Sequence, residues 1–328
     1  METERPSPRY STIDVWEPAE ILDAIIEAQF SAVAAVRASR ATIEQAGLAI
    51  ARRLKGHGRL IYVGAGTSGR LAVQDGAELM PTFSWPQERL LLLIAGGKEA
   101  LLHAVEGAED EVGRATELVR RHGVNAADVI IAVAASGTTP FTVACLREAK
   151  RAGALTVGLA NNRDTPLLEE ADHSILLDTG PEPIAGSTRM KAGTAQRIAL
   201  ILLSSLVMIL LGRVYKGLMV DLQASNKKLV RRSAKILSRL TGRSNEEINR
   251  ALDRTGGSAK LAFLLLQGFG LNEAEAALVR AHGHLRQAMG LIAELRSPVP
   301  DLSDTRHAVN ADSRERNISD RSANAPGS

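Results

Sequence analysis

Two short runs of this chain combine glycine with side-chain hydroxyls in an order suited to holding an anion. They are Gly64-Ala65-Gly66-Thr67-Ser68-Gly69-Arg70 and Ala135-Ser136-Gly137-Thr138-Thr139-Pro140. Each follows an apolar run, RLIYV in the first case and DVIIAVA in the second, and each leads into a helical pattern. The N–H groups at a helix N-terminus carry partial positive charge, so together with Ser and Thr hydroxyls they make an anion site. Two such loops imply a phosphorylated small molecule held between them. Its binding residues are then Gly66, Thr67, Ser68, Ser136, Gly137, Thr138 and Thr139. Gly64-x-Gly66-x-x-Gly69 also fits the dinucleotide fingerprint, but that fingerprint needs an acidic residue at the end of the second strand. The run RLLLLIA ends instead in Gly96-Gly97-Lys98, with Glu99 past the turn, and no Walker pattern is present. A compact terminal phosphate suits these loops better than a nucleotide.

The elements that must position the loops read as a strand–helix alternation. Strands are expected at 59–63, 89–95, 128–134, 154–159 and 173–177, each a short run rich in Val, Ile or Leu with little polar alternation. That pattern belongs to strands buried on both faces of a parallel sheet. Helices are expected at 69–79, 98–121, 140–151 and 164–171. The fold class is therefore α/β, a doubly wound five-stranded parallel sheet, with ligands at the C-terminal ends of its strands. Before it, residues 18–55 place Ile21, Ile25, Ile26, Phe30, Val33 and Val36 at helical spacing. After about Asp221, segments punctuated by Gly242, Gly256-Gly257 and Gly268 predict a small helical domain, with Ser244 and Glu247 as a capping box. The expected organisation is an N-terminal extension and helices over 1–55, a phosphate-binding α/β domain over 56–220, a helical domain over 221–296 and a disordered tail over 297–328.

Composition narrows the function classes. The 328 residues hold 40 Lys and Arg against 37 Asp and Glu, a net charge of +3, which is too even to demand a nucleic-acid partner. Aromatic residues at 3% are too few for base-stacking platforms. The single cysteine, Cys145, excludes an intrachain disulfide and a thiolate zinc cluster, and the seven histidines show no metal-ligand spacing. No apolar signal segment opens the chain, so the cytoplasm is the expected location. The apolar stretch Ile198–Gly212, flanked by Arg197 and Arg213 and carrying Ser204 and Ser205, is short for a bilayer, which needs about 20 residues; it reads as a buried helix.

Five segments together give a narrower resemblance: TERPSPRYSTIDVW, GAGTSGRLAVQDGAE, LIAGGKEALLHAVEGAED, AASGTTPF and GSTRMKAGTAQ. Over residues 3–290 the chain resembles the N-acetylmuramic acid 6-phosphate etherases, members of the sugar isomerase (SIS) superfamily that also includes the vertebrate glucokinase regulatory protein. The resemblance implies cleavage of a lactyl ether to give D-lactate and N-acetylglucosamine 6-phosphate, as a carbon–oxygen lyase without metal or organic cofactor. It also implies a homodimer with its active site near the subunit interface. By match to the family motifs, Glu78 is the proton donor to the lactate oxygen and Glu109 the second catalytic carboxylate, the base at carbon 2. Where the commoner family pattern reads Asp-Ala-Ser-Glu-Cys-Pro-Pro, this chain has Asp75-Gly76-Ala77-Glu78-Leu79-Met80-Pro81, which removes a hydroxyl beside the donor.

Glu78 is expected two to three turns into the helix begun by the first loop, and Glu109 in the helix of 98–121. Ser187 is expected to reach substrate. Arg189 and Lys191 suit either the anionic ligand or a structural ion pair, and His103 is a candidate for opening the sugar ring. His282 and His284 are expected on the surface of the helical domain. Two other readings fit the same fold: a sugar-phosphate isomerase, and a regulator that senses a sugar phosphate.

Overall fold

The computed structural model describes residues 1–223 and 227–296, so the expected tail at 297–328 lies outside the described residues. Helices α1 (Pro18–Ala38) and α2 (Arg40–Leu54) lead into strand β1 (Leu60–Gly64) and helix α3 (Gly66–Phe83). Strand β2 (Leu90–Ile94) and helix α4 (Val112–Arg121) follow, then β3 (Val129–Val133), α5 (Pro140–Arg151), β4 (Leu155–Ala160), α6 (Pro166–Glu170) and β5 (His173–Leu176). The five strands are parallel, in the order β2-β1-β3-β4-β5. The expected doubly wound sheet is thus present.

Alternate residues of each strand feed opposite cores. Leu60 and Tyr62 of β1 and Ile131 and Val133 of β3 pack with α2, α3 and α7 (Lys191–Leu210). Ile61, Val63, Ile130 and Ala132 pack with α4, α5 and α6. Cys145 belongs to this second core; burial pushes its thiol up to about 12, which keeps it protonated and inert. A salt bridge fixes the register where the strands begin. Asp128, just before β3, pairs with Arg59 Nη2 at 2.6 Å and accepts the Arg59 backbone N–H at 2.9 Å. Gly64 pairs with Val133 as a result, so β1 and β3 end side by side.

Helix α7 runs 20 residues, longer at its start than the apolar stretch alone indicates. It is long and apolar enough to cross a membrane by length and composition, yet half of its apolar window is buried in the fold. Ser204, polar in that apolar setting, donates to Asp75 Oδ1 at 3.3 Å, while Tyr62 donates to Asp75 Oδ2 at 2.8 Å. This buried group ties α3 to β1 and α7. Burial raises the pKa of the Asp75 carboxyl, and the two donors and nearby Arg197 offset part of that rise.

A short hairpin unforeseen from sequence, β6 (Val214–Tyr215) with β7 (Leu218–Met219), leads into the helical region. Helices α8 (Lys227–Thr241), α9 (Asn245–Arg254), α10 (Ala259–Leu266), α11 (Leu271–Arg280) and α12 (Leu285–Arg296) then build a third core around Leu237, Ile248, Phe263 and Ile292. The capping box is made: Ser244 N–H donates to Glu247 Oε2 at 3.0 Å and Glu247 N–H to Ser244 Oγ at 3.3 Å.

The helix expected over 98–121 is interrupted. Its first part is a 3₁₀ turn, Gly97–Leu101, and a second 3₁₀ turn, Ala108–Asp110, precedes α4. Gly96, Gly97 and Gly107 have φ of +80°, +67° and +72°, a backbone that cannot continue a right-handed helix. Glu109 therefore sits on a turn.

Candidate active site

The order of the sheet reverses between β1 and β3, so α3 leaves toward one face and α5 toward the other. That is the switch point at which doubly wound folds open a crevice. Both hydroxyl loops lie there. In the first, β1 and α3 approach so closely that a Cβ on Gly64 would stand 2.8 Å from the Gly69 Cα, and Gly66 takes φ +51°. In the second, Thr138 N–H donates to Ser136 Oγ at 3.2 Å, and Ser136 Oγ lies 3.3 Å from Thr139 Oγ1. Helices α3 and α5, of 18 and 12 residues, both point their N-termini at the gap.

Between the loops is a cavity of about 360 Å³. Gly66, Thr67, Ser68, Ser136, Thr138 and Thr139 line it, as expected from the sequence, and Glu109 joins them. Three predicted residues have other positions. Gly137 is absent from the lining; its φ is +72°, and a Cβ there would fall 2.2 Å from Thr165 Oγ1, so it serves the packing of the loop. Ser187 is not part of the lining, and its neighbour Thr188 is. Glu78 lies exposed on α3, outside the cavity, and helix geometry explains why. Ten residues separate it from Ser68, about 15 Å of helix rise.

The charged residues near the GSTRMK loop also separate. Arg189 is exposed. Lys191 is buried, and burial lowers its pKa against the opposing pull of Glu182. Glu182 is wholly buried and accepts the backbone N–H groups of Lys191 and Ala192 at 3.1 and 2.9 Å, capping α7. Burial raises its pKa, and those two N–H groups and Lys191 act against the rise. His103 is exposed and outside the lining, while its carbonyl accepts from Arg70 Nη2 at 3.0 Å. His282 is exposed as expected, but His284 is half-buried, a correction, because it lies where the helical region meets the sheet edge.

Glu4, Asp110 and Thr188, none of them assigned to the site from sequence, also line the cavity. Glu4 is placed by its neighbour. Thr3 is fully buried, accepts Asn162 Nδ2–H at 2.9 Å, and offers its carbonyl to Gly186 N–H at 3.0 Å. Asn162 Nδ2 also donates to Ala135 O at 2.9 Å, which binds the arm to the second loop. Gly186, at φ +76°, leaves room for the Glu4 carboxylate, which a Cβ would meet at 2.6 Å. The lining thus has hydroxyls and N–H donors at one side and Glu4, Glu109 and Asp110 as carboxylates. Such a set can hold a phosphate without lysine or arginine, and can bind hydroxyls and move protons beside it. Among the described residues, no group of three or more His, Cys, Asp or Glu is placed to hold a metal.

Comparison with known proteins gives the family. The chain is 49% identical over 289 residues to the N-acetylmuramic acid 6-phosphate etherase of Deinococcus radiodurans, covering 88% of this chain and 95% of that one. The chain belongs to the N-acetylmuramic acid 6-phosphate etherase family. The enzymes of that name from Streptomyces avermitilis and Rubrobacter xylanophilus are 43% and 42% identical, each over 88% of this chain and 93% and 95% of their own lengths. The family model for the glucokinase regulatory protein N-terminal SIS domain matches residues 42–150, and the SIS domain model matches 109–206.

Proposed function

We propose that the chain cleaves the D-lactyl ether of N-acetylmuramic acid 6-phosphate by elimination and hydration. The observation that carries this reading is that Glu109 and both hydroxyl loops line one cavity in a member of the etherase family. The hydroxyls of Thr67, Ser68, Ser136, Thr138 and Thr139, with the N-termini of α3 and α5, hold the phosphate. Opening of the sugar ring makes carbon 1 an aldehyde, which acidifies the proton at carbon 2. Glu109 removes that proton, the carbon 3–oxygen bond breaks, and its electron pair leaves with the lactate oxygen, which Glu78 protonates. Water then adds its oxygen at carbon 3 and gives a proton to the Glu78 carboxylate, while Glu109 returns the proton to carbon 2, giving N-acetylglucosamine 6-phosphate and D-lactate. Glu4 receives the sugar hydroxyls and orients the ring.

Helix rise keeps Glu78 about 15 Å from the phosphate cradle of its own subunit, more than a hexose phosphate spans. We therefore infer a homodimer in which the partner subunit's Glu78 completes each site. An apolar stripe on α1 supports it: Leu22, Ile26, Phe30 and Val33 are all exposed, Phe30 by 69%. Helix α7, packed against α1 and α3, adds exposed Ile201, Leu202 and Ile209. A dimer would cover this face. The division of the chain near residues 55 and 220 into N-terminal helices, sugar-phosphate domain and helical domain belongs to the same proposal. So does a cytoplasmic location, since a sugar phosphate is charged and does not cross a bilayer unaided.

Incubating the purified protein with N-acetylmuramic acid 6-phosphate and assaying D-lactate tests the activity. Stoichiometric lactate is expected. Tight binding of the sugar phosphate with no lactate would overturn the etherase reading in favour of a sensing role.

A further inference from the structure

A second cavity, of about 440 Å³, lies at the other edge of the sheet, where β1 and β2 begin and the helical region folds against them. Four cations line it, Lys55, Arg89, Arg213 and Lys260, against two carboxylates, Asp221 and Glu275. Two of the cations are deeply placed. The Lys260 side chain is 8% exposed and that of Arg213 13%, and both lean on the single carboxylate of Asp221, at 3.2 and 3.0 Å. Burial lowers the pKa of Lys260, Arg213 and Arg89, and Arg213 repels both of the others. Buried charge is costly unless it is matched; Arg213 also donates to the Phe83 and Ser84 carbonyls at 2.7 and 2.9 Å, but the carboxylate of Asp221 is the ion-pair partner of both Arg213 and Lys260.

The walls are built to keep this arrangement. Trp85, 1% exposed, carries the Arg89 and Arg213 guanidinium groups 4.5 and 5.0 Å from its ring. Gly283, at φ +81°, lets Lys260 Nζ approach where a Cβ would stand 3.2 Å away. Gly212 likewise clears His284, which a Cβ would meet at 2.9 Å. The sheet side supplies Trp85, Arg89 and Arg213, and the helical side supplies Lys260 and His284.

We propose that this cavity is a binding site for a small multivalent phosphate-type anion, separate from the hydroxyl cradle, which bridges the sheet edge and the helical region. Such an anion would give Lys260 and Arg213 a second counter-charge and hold the two parts together. The site does not depend on the etherase reading.

Titrating the full chain with inorganic pyrophosphate, against sodium chloride at matched ionic strength, tests the proposal. The readouts are Trp85 fluorescence in a Trp16→Phe background and the melting temperature. A saturable change is expected, weakened about tenfold or more by Lys260→Met and a few-fold by the rim change Lys55→Gln. Thr138→Ala, at the cradle, should leave it intact. No saturable response beyond that to sodium chloride would overturn the proposal. So would a response that survives both lysine changes, or one that Thr138→Ala abolishes. If Lys260→Met does not fold, Lys55→Gln carries the decision alone.

Discussion

A carboxylate that removes a proton from carbon must sit within hydrogen-bonding reach of that carbon, and Glu109 lines the cavity whereas Glu106 does not. Replacing Glu109 by Gln should cut lactate release by on the order of 10²–10⁴ with little change in KM, whereas Glu106→Gln should stay near the parent rate. Steady-state lactate kinetics on both variants measure this. Glu4 predicts a different signature. Loss of a charged hydrogen-bond acceptor is worth about 1.5–3 kcal/mol, so Glu4→Gln should lower kcat/KM on the order of ten- to a hundredfold. Thr3→Val, which unseats the arm without touching the cavity, should produce part of the same loss. An unchanged kcat/KM in both would remove Glu4 from the site. The hydroxyl loops were legible in the sequence because a strand, a glycine turn and a helix start are local events. Glu4 was not legible, because the contact that places it joins Thr3 to Asn162 across 159 residues.

At the scale of elements, five buried apolar runs gave the sheet, and their spacing gave its connections. The interruption before α4 is hidden in the sequence because Ala, Glu and Leu favour helix throughout 98–121, while the left-handed Gly107 that breaks it within that span matters only once the turn must return Glu109 to the crevice. The register that brings β1 and β3 level rests on Asp128, whose side chain is 2% exposed. Burial alone would raise its pKa, but the hydrogen bonds from Arg59 and the Asn125 N–H prevail and hold it below the usual carboxylate value. A carboxylate depressed in the folded state contributes stability that is present above its unfolded pKa and is lost as pH falls through its folded value. Asp128→Asn should therefore destabilise by about 1.5–3 kcal/mol at neutral pH, by weakening the charged hydrogen bonds from Arg59, which keeps its bonds to the His122 and Gly123 carbonyls. It should also lose part of the parent's acid sensitivity below the ordinary carboxylate range. Urea midpoints measured from neutral pH down into that range test both, and parallel pH profiles for parent and variant would refute the assignment.

At the scale of the whole molecule, the exposed Leu22, Ile26, Phe30 and Val33 and the distance of Glu78 from its own cradle point to the same arrangement. Phe30→Glu places a charge in the centre of the stripe and should convert dimers to monomers by light scattering, with lactate release falling in parallel. Mixing subunits makes the sharper test. A Glu78→Gln subunit keeps its own Glu109, and a Glu109→Gln subunit keeps its own Glu78; each homodimer alone is inactive. In a mixed dimer with shared sites, one of the two sites receives Glu109 from one subunit and the partner subunit's Glu78, and it works. With random pairing half of the dimers are mixed, so the mixture should recover roughly a quarter of the parent activity after unfolding and reassembly. If both carboxylates served from the same subunit, every site in the mixture would lack one of them, and no activity would return.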